Sequence, residues 1–417
     1  MTSTPSTSRP LKILAIGYAT STHVVNRVRC FGNLGHEVYL LGTPSAGLTD
    51  VTELTPSVRS GQDEWVASLM RWASKLVGRN LNGLADMARL FLDFRRLIRS
   101  VNPDIIHVHY AYSTWAWLAG ALGYRPLVVS VMGGDVLFEE QGKPTPRGIS
   151  LTKRLFAAAD RITAKSDFLI AKLDELGGYG RKATRIVWGV DPQQFRRLDA
   201  SSLRVECGIP EGARVVLSPK ILQPFYNIDV LVAAMELVVK QVQSAHLVVT
   251  EYGADPKYRA ELLAQIERLG LSRHVSFVGH ISHGQMSLFY SLAEVAVGIP
   301  HSDGLPQTLL EAMACGVPNV VGRLDRYGEI VKDGESVLFA DIEPSSVASA
   351  ILRLLTDEPL RNAMVKKGRE IVVEEANFPS DVRRVEAIYR ELAAQPKRPS
   401  WSRPMMLVDV ARYWLRI

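Results

Sequence analysis

The chain has little cysteine: three residues in 417, Cys30, Cys207 and Cys315. They are odd in number, far apart, and form neither a Cys-x-x-Cys pair nor a Cys/His ligand spacing. A disulfide framework and a structural zinc site are both excluded, and a reducing, cytoplasmic setting is expected. No stretch approaches the roughly 18 to 20 uninterrupted apolar residues that a spanning helix needs. The apolar run Leu11 to Gly17 is too short and wrongly flanked for a signal peptide, so residues 1–10, rich in Ser, Thr and Pro, are expected to be a disordered tail. Neither charge sign dominates: 49 Lys plus Arg against 43 Asp plus Glu leaves +6, compatible with an anionic substrate but too diffuse for a nucleic-acid binder. There is no Asp-x-Asp pair to hold a diphosphate through a metal, so no metal is expected. The turn Gly17 to His23 lacks the G-x-G-x-x-G that a nicotinamide-dependent oxidoreductase needs after its first strand.

What is present is a long alternation. Short β-branched runs at Lys12–Gly17, Val38–Leu41, Ile105–His109, Leu127–Val131, Val215–Leu217, Leu247–Thr250, Val275–Val278, Val295–Ile299 and Asn319–Val321 are separated by helical patterns. This is the mark of β-α-β units on parallel sheets. The length and 47% hydrophobic content suit two domains. The Gly- and Pro-broken stretch from Ile186 to Ser202 marks the boundary. The expected fold is α/β, with two Rossmann-like doubly wound domains facing across a cleft: an N-terminal domain over 11–190 and a C-terminal domain over 191–380. A helical segment, 381–417, is expected to return to the N-terminal domain. Two amphipathic stripes, Trp65, Leu69, Trp72 and Leu76 beside Arg71, Lys75 and Arg79, and Met405 to Ile417 with Trp414, fit either a core-facing helix or peripheral contact with an anionic membrane; the core is favoured.

The segment from His301 to Pro318 carries the chemistry. Pro306 suits a first helical position and Gly316 with Pro318 a stop, so a helix from about Pro306 to Cys315 is expected. Backbone N–H groups of Gly304, Leu305 and Gln307 and the positive helix end would meet phosphate oxygens. Asp303 in the loop and Glu311 on the helix flank that site. Carboxylates beside phosphate are tolerable where they accept hydrogen bonds from sugar hydroxyls.

This segment resembles the E-x7-E region of the retaining glycosyltransferases of family 4, two-domain GT-B proteins, with Asp303 in place of the first Glu and Glu311 as the second. The resemblance extends over nearly the whole chain. It implies that Glu311 holds the ribose, Asp303 hydroxyls of the donor sugar, and the backbone of Gly304 and Leu305 the diphosphate. Phe277 to His280 with Ile281 is similar to the family's nucleobase-receiving strand and loop, although His280 could equally end a strand without a ligand. Tyr290 to Glu294, Gly328 to Gly334 and Trp188 to Asp191 with Phe195 match further motifs in order. In Ser218 to Asp229, Lys220 fills the place of the family's Arg, while Tyr226 and Asn227 stand where Lys-Gly is commoner. Tyr226 and Asn227 could donate hydrogen bonds to the diphosphate in place of that Lys, or Arg323 or Arg326 could reach in.

In the N-terminal half, Ser21 to Arg27 resembles the acceptor-side loop, with His23 and Arg27 as its candidates. Val131 to Asp135 occupies the place of the family's H-G-x-D run, with Met132 for the usual His. His109, His23 and Asp135 remain as groups to orient the acceptor, although His109 may instead bond within the sheet and Asp135 may cap a helix. The resemblance implies transfer, with retention, from a nucleoside diphosphate sugar to a glycan, lipid-linked or small-molecule acceptor, without cofactor or nucleic acid. The alternatives are an epimerase or phosphorylase of the same architecture, or an inactive nucleotide-sugar-binding relative.

Overall fold

The structure is a computed structural model that describes residues 9–42, 46–54, 81–138, 144–395 and 403–414. The amphipathic stripe from Trp65 to Arg79 and nearly all of the N-terminal tail lie outside the described residues. The chain forms two compact units, residues 1–186 with 382–417, and residues 187–381.

In the first unit, seven parallel strands, β1 (Lys12–Ile16), β2 (Glu37–Leu41), β3 (Thr52–Leu54), β4 (Ile105–His109), β5 (Leu127–Ser130), β6 (Arg161–Ala164) and β7 (Ala183–Arg185), lie in the order β3-β2-β1-β4-β5-β6-β7. All five residues of β4 and all four of β5 are buried, as expected of strands covered on both faces by crossover helices. The helices are well punctuated. Before Asp167–Gly177, the Ser166 hydroxyl accepts from Leu169 N, and Gly178 at φ 70 ends it in the left-handed conformation.

The core is apolar, with one polar chain through it. The His107 ring is hydrogen-bonded through Nε2 to the Ser130 hydroxyl at 2.7 Å, and Ser130 to Thr163 at 2.6 Å. Its Nδ1 meets the hydroxyl of Tyr389 on the helix Phe378–Ala394. Burial, with a lesser push from Arg27, holds the His107 pKa down to about 3, so the ring is neutral. The last helix, Pro404–Trp414, sends Met406 and Val410 into the same core that holds Trp117 and Leu155, leaving Met405 and Val408 outside. Met406 and Val410 thus face the core, while the Trp414 side chain and residues 415–417 of that stripe lie outside the described residues. Among the described residues no helix is long and apolar enough to cross a membrane.

In the second unit, six parallel strands, β8 (Arg214–Ser218), β9 (Ala245–Val249), β10 (Val275–Phe277), β11 (Val295–Gly298), β12 (Asn319–Gly322) and β13 (Leu338–Ala340), run in the order β10-β9-β8-β11-β12-β13. Of the thirteen strands among the described residues, the sequence pattern locates nine and misses β3, β6, β7 and β13. Three of these are three-residue strands at a sheet edge, too short to display a period.

Candidate functional site

In a doubly wound sheet the strand order reverses at one point, and the diverging loops there leave a crevice beyond the carboxyl ends of the strands. In the second unit that point lies between β8 and β11. Lys220 follows β8 and Asp303 follows β11, and the Lys220 ammonium stands 3.6 Å from the Asp303 carboxylate. Lys220 is buried, with 7% of its side chain exposed, and Asp303 retains 25%. Burial pushes the Lys220 pKa down, opposed by Asp303 and, less, by Glu311. Gly298 makes room for this side chain, since a Cβ there would stand 2.5 Å from Lys220 Cε. The Lys220 ammonium also lies 6.0 Å from the centre of the Tyr226 ring.

Asn227 holds two loops together. It sits at φ 54, and its side-chain amide donates to Ile299 O at 2.7 Å. With His301 N donating to Phe225 O, it staples the loop after β8 to the loop after β11. Of the two further cations considered, Arg323 pairs with Asp341 and Asp333. Arg326 donates to the Ser302 hydroxyl at 2.7 Å, beside Asp303.

The helix runs Gln307–Ala314, with Pro306 as its cap residue rather than its first helical residue. Gly304 and Leu305 are buried in the loop before it, Leu305 within the core. The Gln307 side chain donates to Gly189 O at 2.6 Å. Glu311 is buried and already partnered: one oxygen lies 2.9 Å from His283 Nε2, the other accepts from the Tyr290 hydroxyl at 2.9 Å. Burial and then Glu311 push the Tyr290 pKa well up, which keeps the phenol a donor. A ligand hydroxyl would use the lone pairs these two leave. His283 was missed by the sequence reading, being 28 residues away with no shared motif, and Tyr290 was noted only as part of a helix end. His280 is exposed and packs against Tyr252, ring centres 5.3 Å apart and planes at 32°, while its neighbour Ile281 belongs to the core. Tyr252, also exposed, carried no sequence signal.

In the first unit the reversal lies between β1 and β4, and His109 closes β4 there. Burial drives its pKa well below the ordinary imidazole value, with His107 and Arg27 adding to it, so it is a neutral ring. Asp135 is fully buried; one oxygen accepts from Ala111 N at 2.6 Å, the other from Met132 N at 2.8 Å and Gly133 N at 3.1 Å. These bonds tie the turn after β4 to the turn after β5. Arg27 is likewise buried, its guanidinium donating to Met132 Sδ at 3.4 Å. His23 is exposed on the first turn of the helix Thr22–Asn33.

Comparison with known proteins bears on both units. Residues 20–194 match the family model described as Glycosyltransferase Family 4, and residues 199–371 the one described as Glycosyl transferases group 1. Both matched ranges, each under half of the chain, carry glycosyltransferase descriptions. It is 32% identical over 285 residues to D-inositol 3-phosphate glycosyltransferase 2 of Catenulispora acidiphila, a match taking in 62% of this chain and 64% of that protein, less than two thirds of its length. It is 25% identical over 300 residues to N-acetyl-alpha-D-glucosaminyl L-malate synthase of Bacillus anthracis, over 71% of this chain and 77% of that one. The crystal structure of Anabaena HepE in complex with UDP and glucose superposes with a TM-score of 0.73 at 16% identity, covering 92% of this chain and all of that one. The architecture is GT-B.

Proposed function

We propose that this enzyme transfers a sugar, with retention at the anomeric carbon, from a nucleoside diphosphate sugar held by the second unit to an acceptor held by the first. The observation that carries the reading is the buried Lys220 ammonium set 3.6 Å from Asp303 where the strand order reverses, with the start of the helix Gln307–Ala314 beyond it. A fixed cation and the positive end of a helix suit a diphosphate that gains charge as it leaves. Asp303 accepts hydroxyls of the sugar, and Glu311, oriented by His283 and Tyr290, accepts a ribose hydroxyl, in the manner of the E-x7-E pair. Arg326, which donates to the Ser302 hydroxyl beside Asp303, is a further cation at the loop. The names of the relatives fit: HepE is captured with UDP and glucose, and the two relatives are named for inositol 3-phosphate glycosyl transfer and for glucosaminyl malate synthesis.

The bond from the anomeric carbon to the phosphate oxygen breaks, and the bond to the acceptor oxygen forms on the same face. The acceptor's proton passes to the departing phosphate oxygen, and the nucleoside diphosphate leaves. No metal takes part in this proposal. A thermal-shift screen with UDP-glucose, GDP-mannose, ADP-glucose and dTDP-glucose is expected to show stabilisation by at least one of them, and turnover to release the corresponding diphosphate in the presence of chelator. Stabilisation by none, or an inverted product, would overturn the donor reading or the stereochemistry respectively. Activity lost in chelator and restored by a divalent ion would overturn metal independence.

A further inference from the structure

At the reversal point of the first unit, beyond the carboxyl ends of β1 and β4, lies a cavity of about 530 Å³ whose walls are mostly aromatic. Tyr18 follows β1 and His109 ends β4. Tyr112, Trp115 and Trp117 come from the turn and helix after β4, and Tyr413 from the helix Pro404–Trp414. The rings are braced. Trp117 forms the rear, its indole N–H donating to Thr152 at 3.0 Å, with Tyr112 and Tyr413 edge-on to it at 5.1 and 4.7 Å. The Tyr112 hydroxyl accepts from Thr145 N at 3.1 Å, and Trp115 stands edge-on to Phe94 at 5.5 Å. Trp115, Tyr112 and Tyr413 are half-buried and Tyr18 is 45% exposed, so ring surface remains presented to the cavity.

Such a lining has its own chemistry. Aromatic side chains offer large apolar faces with hydroxyl or N–H edges and lose little conformational freedom on contact. A pyranose is their complement, with C–H groups across its face and hydroxyls around its rim. Recognition of a phosphate or carboxylate draws on guanidinium or ammonium groups, whereas the described lining is aromatic rings, hydroxyls, aliphatic side chains and the neutral His109 imidazole. The relatives are named for inositol phosphate and malate, both anionic. Tyr413 lies beyond both family-matched ranges, so one wall of this cavity comes from a part of the chain that the family models do not cover.

We infer that this cavity is the acceptor site and that the acceptor is an uncharged carbohydrate, one ring of which lies against Tyr112, Trp115 and Tyr413 with a hydroxyl toward His109. The inference rests on the glycosyl-transfer reading above. The test uses the full chain with the four nucleotide sugars as donors. Nitrophenyl glycosides of glucose, galactose, mannose and N-acetylglucosamine serve as neutral acceptors, and inositol 3-phosphate, malate and decyl phosphate as anionic ones. Sugar is expected to pass to at least one neutral glycoside. Trp115→Ala and Tyr413→Ala are each expected to raise the KM for that glycoside about tenfold or more, with Trp115→Phe and Tyr413→Phe much closer to wild type. The nucleotide-sugar Kd should stay unchanged, which separates loss of acceptor binding from loss of fold. Transfer only to the anionic compounds, transfer to none of the glycosides, or a KM unmoved in both alanine variants would overturn the inference. Failure of the wild-type chain to bind any of the four donors would instead overturn the reading on which it rests.

Discussion

Replacing Lys220 by Met keeps most of the side chain's volume and removes its charge, and the geometry sets what this should do. At 3.6 Å from Asp303, and with an effective dielectric of about 20, the ammonium and carboxylate attract by about 4–5 kcal/mol. That attraction is outweighed by the burial that depresses the Lys220 pKa. Stability should therefore change little: Met is at home in the site, and Asp303, 25% exposed, can be solvated by water. Catalysis has no such compensation. A fixed positive group facing a leaving diphosphate is comparable to an oxyanion donor, whose removal costs roughly 10²–10³ in kcat, or about 3–4 kcal/mol. Gly298→Ala provides an independent perturbation, because its Cβ at 2.5 Å from Lys220 Cε displaces the flexible end of the lysine while leaving the charge in place. It should lower kcat by about tenfold, one step of 1.4 kcal/mol. The assay is release of nucleoside diphosphate under saturating donor, with the melting temperature followed in parallel. A Lys220→Met enzyme whose kcat stays within threefold of wild type would refute the placement of the leaving group beside Lys220.

Three further outcomes are expected. Tyr290→Phe removes one of the two hydrogen bonds that orient Glu311; a bond to a charged group contributes about 1.5–3 kcal/mol. Titration calorimetry should show nucleotide-sugar affinity weakened by roughly tenfold or more, and an unchanged Kd would dissociate Glu311 from donor binding. The buried histidines make the first unit acid-sensitive. His107 stays neutral down to about 3 when folded but takes a proton near 6.5 when unfolded. The unfolded chain thus binds more protons between those values, and stability rises with pH in that window. Acidifying from pH 6.5 to 5 costs about 2 kcal/mol from His107 alone, with His109 acting in the same direction. Urea unfolding followed by near-ultraviolet tryptophan signals should show the midpoint falling over that range, and a flat profile would count against neutral buried rings. Gly189→Ala would drive a Cβ into the carbonyl of Ala376, rigid backbone within the same unit, and should cost upward of about 2 kcal/mol, seen as a lowered melting temperature. An unshifted melting temperature would show that contact to be loose.

The limits of legibility follow from particular residues. Strands such as β4 and β5 are continuous apolar runs because they are buried on both faces, and that pattern is visible in any linear reading. β6 begins with an arginine and ends within four residues, and β13 has only Leu338 to Ala340, so neither carries a period to recognise. The loop and helix from His301 to Ala314 were legible because Pro306 and Gly316 punctuate them. The partners of Glu311 were not: His283 and Tyr290 meet it only once their helical turns are packed together. Asp135 is similar: its place in a motif is visible in the sequence, whereas its three backbone N–H partners, which tie two turns together, are set by the fold.

By itself the amino-acid order determined the alternation of strand and helix, the division near residue 190, and the punctuated segment in which Asp303 and Glu311 lie. All of these depend on local periodicity and local backbone preference, which act over a few residues at a time. The tertiary structure alone decided which groups share a site. The reversal of strand order sets Lys220 against Asp303 across 83 residues of chain, and brings Tyr413 from the last helix to Tyr18 and His109 around one cavity. Such contacts arise from the packing of whole sheets and helices, and no window on the sequence is wide enough to contain both partners.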